Sequence, residues 1–103
     1  MLKLIEQHRE QLAALCRRYG VRRLDLFGSA TRDDFDLERS DLDFAVEFDD
    51  LAARGAADRY FGLLVDLQDL FGRRVDLVSV TGVRNPYFRQ VLEETRVPLY
   101  AAA

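Results

Sequence analysis

A single cysteine, Cys16, leaves the chain without an intrachain disulfide, and a single histidine, His8, has no cysteine or acidic cluster around it to complete a transition-metal site. No apolar run approaches the roughly 20 residues that cross a bilayer. The amphipathic N-terminal segment also lacks the apolar block of a signal peptide, so a soluble, cytoplasmic protein away from the membrane is expected. Basic side chains are in the minority, 15 against 18 acidic, and the net charge is -3. A dedicated nucleic-acid binder would show a basic face for phosphate contacts, so no direct nucleic acid is expected; a nucleotide carried with its metal remains compatible. Internal repeats and low-complexity linkers are absent as well. With 103 residues, 49% of them hydrophobic, the chain is expected to form one domain spanning residues 1–103, too small for a second core.

The hydrophobic pattern is what is present. Leu2, Ile5, Leu12, Leu15, Cys16 and Tyr19 recur at helical spacing, and Gly20 follows as a stop, which predicts one N-terminal helix. Val21 to Phe27 reads as a strand running into the turn Gly28-Ser29. From Asp41 to Phe48 large apolar residues fill every even position, the period of a half-buried strand. Asp49 to Ala57 reads as a loop, and Asp58 is placed as the N-cap of a helix with Tyr60, Phe61, Leu64, Leu67 and Phe71 inward, closed by Gly72. A strand from Val75 to Val80 follows. Asn85-Pro86 then starts a helix whose buried stripe is Phe88, Val91, Leu92 and Thr95. Pro98 ends it, Leu99 and Tyr100 add a short edge strand, and Ala101 to Ala103 is a loose tail. The fold class is therefore α/β (α+β), a small mixed sheet of three to four strands flanked by helices. The aromatics Tyr60, Phe61, Phe71, Tyr87 and Phe88 are assigned to core stripes, with a partner interface as the alternative, and Cys16 and His8 to packing.

Within the second strand, Asp41 and Asp43 share a face about 7 Å apart while their even-numbered neighbours enter the core. Two such carboxylates repel unless a cation lies between them, and oxygen-only ligation suits magnesium; a solvated strand face shows the same pair. Glycine straight after a strand lets a ligand approach the backbone, so Gly28 and Ser29 form a candidate phosphate cradle, or else an ordinary tight turn. Asp76 is an acid in an apolar strand, which calls for a metal or for a salt bridge to Arg73 or Arg74.

Strand, Gly-Ser turn, Asp-x-Asp strand and a later strand acid, in that order, resemble the nucleotidyltransferase superfamily of the DNA polymerase beta type. The closer resemblance is to the minimal nucleotidyltransferases (MNT) paired with HEPN partners in prokaryotic toxin-antitoxin modules. It is carried by Leu26-Phe27-Gly28-Ser29-Ala30-Thr31-Arg32, Ser40 to Phe48 and Asn85-Pro86-Tyr87-Phe88, nearly the whole chain. One departure follows Arg32, where many members carry glycine and this chain carries Asp33 and Asp34; Phe35 and Leu37 in the same insert are assigned to local packing.

The resemblance implies a nucleotidyltransferase fold with two magnesium ions held by the catalytic residues Asp41, Asp43 and Asp76, and ATP as substrate bound by Gly28, Ser29 and Arg32. It implies that Asp76 lies nearest the attacking hydroxyl and can act as general base. Larger relatives bind their acceptor with a helical domain after the catalytic fold, and this sequence shows none. The acceptor implied is a tyrosine of a cognate helical HEPN ribonuclease toxin, in a hetero-oligomer, with this chain as an antitoxin that adds AMP. The alternatives are a non-catalytic antitoxin that masks the toxin by binding, and a nucleotidyltransferase acting on a small molecule.

Overall fold

The computed structural model describes residues 2–28, 41–49 and 55–102. Its elements are α1 (Leu2–Gln7), α2 (Arg9–Arg18), β1 (Val21–Phe27), β2 (Leu42–Phe48), α3 (Ala56–Phe71), β3 (Val75–Ser79), a 3-10 turn (Val80–Gly82), α4 (Pro86–Thr95) and β4 (Val97–Ala101). The strands lie in the order β3-β2-β1-β4. β1 pairs antiparallel with both β2 and β4, whereas β2 and β3 run parallel, as expected where the long helix α3 carries the chain back across the sheet.

Alternation along the strands divides the sheet into two faces. Leu24 and Leu26 of β1, Leu42, Phe44 and Val46 of β2, Val75 and Leu77 of β3, and Leu99 of β4 are buried against Ile5, Leu12, Cys16, Leu63, Leu67 and Phe71 from the helices. On the other face a smaller cluster of Phe27, Ala45, Val80 and Leu92, with Val78 and Phe88 against it, seats α4. Burial pushes the Cys16 thiol up to about 12, so it stays a neutral packing group.

The N-terminal helix differs from expectation in being broken at His8. The His8 ring turns back, its Nδ1 donating to the Leu4 carbonyl at 2.9 Å, and packs edge-on against Phe71 with centroids 5.4 Å apart. No proline or glycine marks that break. In α3 the inward stripe is Leu63, Leu67 and Phe71 with Tyr60, Leu64 and Leu70 beside it. Phe61 points away and is 60% exposed, since a residue one step past Tyr60 turns about 100° off the core side. Gly62 lets the Tyr19 ring of the neighbouring helical layer approach to where a Cβ would meet it at 2.6 Å. The cap of α3 is Gly55 in the left-handed region, not Asp58, which lies within the first turn.

At α4 the expected cap is present: Asn85 Oδ1 accepts from the Tyr87 amide at 2.9 Å and the Phe88 amide at 3.4 Å, with Pro86 in the first turn. Only Leu92 of its expected stripe is fully buried; Val91 and Tyr87 face outward. Val80 leaves the strand for the 3-10 turn. The expected tail is partly ordered, with Ala101 inside β4 and the Ala102 amide donating to Arg22 O at 2.9 Å.

Candidate active site

Phe27, Asp43, Ala45, Asp76 and Val78 share the sheet face opposite the main core, as the two hydrophobic clusters and the strand registers require. In the parallel β2/β3 pair Asp43 stands directly opposite Asp76, and in the antiparallel β1/β2 pair it stands opposite Phe27, the residue before Gly28. The pattern that puts Leu42, Phe44 and Val46 inside therefore puts Asp43 and Asp76 side by side on the open face. Asp41 lies one residue before β2, and the start of that strand is fixed on the β3 side by the Leu42 amide donating to Arg74 O at 3.1 Å.

These carboxylates act on one another. Burial, then the charge of Asp76, then that of Asp41 push the Asp43 carboxyl up from 3.8 to about 6. Among the described residues no three histidine, cysteine or acidic side chains are grouped closely enough to hold a metal ion. Gly28 completes the local geometry. Its φ is +72°, and a Cβ there would lie 2.6 Å from Asp43 Oδ2, so only glycine lets the end of β1 sit against that carboxylate.

Four of the six expected site residues thus come together at one end of the sheet: Gly28, Asp41, Asp43 and Asp76. Ser29 and Arg32 lie outside the described residues, as do Asp33, Asp34, Phe35 and Leu37. Asp76 differs from expectation in its setting. It is exposed rather than embedded, and no salt bridge joins it to Arg73 or Arg74 among the described residues.

The acid that is buried in a strand is Asp25, fully enclosed in β1 and held by Arg96 Nε and by Arg23 Nε, the latter at 3.1 Å. The reasoning that singled out Asp76, an acid within an apolar strand, applies equally to Val-Arg-Arg-Leu-Asp-Leu-Phe and could have found it. Next to Arg96, Thr95 Oγ1 accepts from the Gly28 amide at 3.0 Å and donates to Val91 O at 2.7 Å. No sequence signal announced that contact, which spans 67 positions.

A shallow groove of about 360 Å³, lined by Val78, Gly82, Val83, Arg84, Asn85 and Phe88, opens on the Asp76 face. A larger one of about 450 Å³ runs along α2 and α3, across the sheet from the carboxylates.

Residues 8–99 match the nucleotidyltransferase domain family. This chain belongs to that family. It is 35% identical over 77 residues to a Methanocaldococcus jannaschii protein provisionally named a protein adenylyltransferase, covering 75% of each chain. It is 31% identical over 91 residues to the protein adenylyltransferase MntA of Thermococcus cleftensis, covering 88% of this chain and 85% of that one. Among solved structures, one provisionally described as a minimal nucleotidyltransferase superposes with a TM-score of 0.77 at 33% identity over 94% of both chains. An MNT antitoxin bound to a tri-AMPylated HEPN toxin of Shewanella oneidensis shares the fold, with a TM-score of 0.66 at 19% identity over 95% of this chain and 73% of that one. The chain is thus a nucleotidyltransferase whose substrate is a nucleotide, and the mixed sheet flanked by helices is the family's fold. No described helix is long and apolar enough to cross a membrane.

Proposed function

We propose that this chain transfers AMP from MgATP to a tyrosine hydroxyl of a helical HEPN-type ribonuclease toxin, and so acts as an antitoxin by modification. The observation that carries the reading is the register pairing of Asp43 with Asp76, backed by Gly28 and crowded enough to hold the Asp43 carboxyl near 6. Such a surplus of oxygen ligands and negative charge fits a hard divalent cation. Asp41, Asp43 and Asp76 are the residues that would hold two magnesium ions, and Gly28, Ser29 and Arg32 those that would face the triphosphate. When bound, magnesium supplies neutralisation of the triphosphate and acidification of the attacking hydroxyl.

The remaining chemistry falls to the side chains. The tyrosine oxygen bonds to the α-phosphorus while the bond to the bridging oxygen breaks, and pyrophosphate leaves with that electron pair. The hydroxyl proton passes to Asp76, whose exposed carboxylate is open to an incoming acceptor. The AMP gained adds bulk and negative charge on the toxin, which excludes RNA. Support for a protein acceptor comes from the relatives named protein adenylyltransferase and from the MNT antitoxin fold-mate whose HEPN toxin is AMPylated. The reaction belongs in the cytoplasm, where ATP and the toxin's RNA substrate are found.

The test is intact-mass spectrometry of the HEPN-type partner after incubation with this chain, ATP and magnesium, with Asp41→Asn/Asp43→Asn as the control. A gain of whole AMP units, absent in the control, is expected. A stable complex with no gain in mass would replace transfer with masking, and turnover of a small hydroxylated acceptor without any partner would redirect the reading to small-molecule chemistry.

A further inference from the structure

The C-terminal end of α4 grips β1 at two points through consecutive residues. Thr95 Oγ1 accepts from the amide of Gly28, the residue after β1, at 3.0 Å, and Arg96 Nε donates to the fully buried Asp25 within β1. The Thr95 hydroxyl also donates its single proton to Val91 O at 2.7 Å, which aims its lone pairs away from the helix. At its other end α4 is fixed by the Asn85 cap and, within the same first turn, by Phe88 packing edge-on against Phe27 with centroids 5.6 Å apart. Gly28 therefore sits between two fixed groups, the Asp43 carboxylate against its Cα and the Thr95 hydroxyl on its amide.

From this arrangement we infer that Thr95 is a positioning residue for nucleotide binding: its hydroxyl, held by α4, locks Gly28 in the left-handed turn that seats β1 against Asp43. A glycine visits φ values of both signs freely, so the conformation at +72° needs an external constraint, and the hydrogen bond from the Gly28 amide to the Thr95 hydroxyl supplies it. The same contact changes the role assigned to Gly28. With its amide taken by a side chain, it acts as the pivot at the end of β1 and not as a phosphate donor. The inference rests on the proposed nucleotidyl transfer for its consequence, and on hydrogen bonds alone for the clamp.

Amide exchange of the whole chain by NMR, combined with binding of a non-hydrolysable ATP analogue with magnesium, tests both halves. In Thr95→Val, which keeps shape and removes the hydroxyl, Gly28 amide exchange rises about tenfold while Leu24 and Leu26 within β1 are unchanged, and analogue affinity falls about tenfold, the worth of one lost hydrogen bond. Thr95→Ser restores both. Unchanged Gly28 exchange in Thr95→Val, or Thr95→Ser behaving like Thr95→Val, overturns the clamp. Faster Gly28 exchange with unchanged analogue affinity overturns its role in nucleotide binding. Strong protection of Gly28 by the analogue in Thr95→Val would make Gly28 a phosphate donor and overturn the pivot. If the wild-type chain fails to bind the analogue at all, the proposed function and the nucleotide half fail together, while the exchange measurements still decide the clamp.

Discussion

Replacing Asp43 with asparagine should make the metal-free protein more stable at pH 8 while abolishing transfer. Burial, Asp76 and Asp41 together hold the Asp43 carboxyl at about 6 against an ordinary 3.8. Because the folded value is the higher one, the fold favours the protonated acid. Its contribution is fully present below 3.8 and is lost as pH rises through about 6. The gap is nominally worth about 3 kcal/mol. Asp43 is only half-buried, however, and solvent screening reduces the usable figure to about 1 kcal/mol. In a domain of this length that corresponds to roughly 4–8 °C in melting temperature. Asp43→Asn keeps the shape of the protonated acid and removes the charge. Thermal melts in magnesium-free buffer should show the variant above wild type by that margin at pH 8, with the difference vanishing near pH 4. Saturating MgATP should then raise the wild type more than the variant, because the variant has lost one of the three carboxylates whose charge the cation offsets. Equal melting at pH 8, or a gain independent of pH, would refute electrostatic crowding as the property of this site.

Gly28→Ala places a Cβ 2.6 Å from Asp43 Oδ2 at a φ of +72°, costing about 1–2 kcal/mol of left-handed strain and displacing the carboxylate. AMP transfer, followed by the partner's mass, should fall by about 10²-fold, the scale expected of a displacement of an ångström at a reacting centre. Arg96→Met leaves the fully buried Asp25 with Arg23 as its remaining charged partner and should lower stability by about 3–5 kcal/mol in urea titrations. Adding Asp25→Leu should recover most of that loss, since an apolar pair leaves no buried charge behind. Asn85→Ala removes the acceptor for the Tyr87 and Phe88 amides and should cost about 1 kcal/mol, read as a drop in melting temperature.

The elements were legible in the sequence wherever local chemistry decides structure. Val21–Phe27 was placed residue for residue, the period of two from Leu42 to Phe48 identified both the core face and the face of Asp43, and Asn85-Pro86 marked a helix start. The break at His8 was not legible because no residue that breaks helices intrinsically marks it, and the ring there packs on Phe71, 63 positions away in the chain. Phe61 and Tyr87 were misplaced because apolar character does not itself fix a side chain's angle around a helix. With 60% and 80% exposure they belong to the surface, where a partner interface remains their other reading.

The candidate site divides along the same line. The sequence by itself determined which chemical groups were available, the strand phase that put Asp41 and Asp43 on one side, and the need for glycine at a turn after β1. Local rules of period and turn chemistry operate within a few residues, so they reach that far. Only the tertiary structure decided that β3 lies parallel beside β2 with Asp76 opposite Asp43, and that α4 returns to hold Gly28 and Asp25 through Thr95 and Arg96. Strand order and long-range hydrogen bonds depend on how whole faces pack against one another, and no window of sequence contains that information.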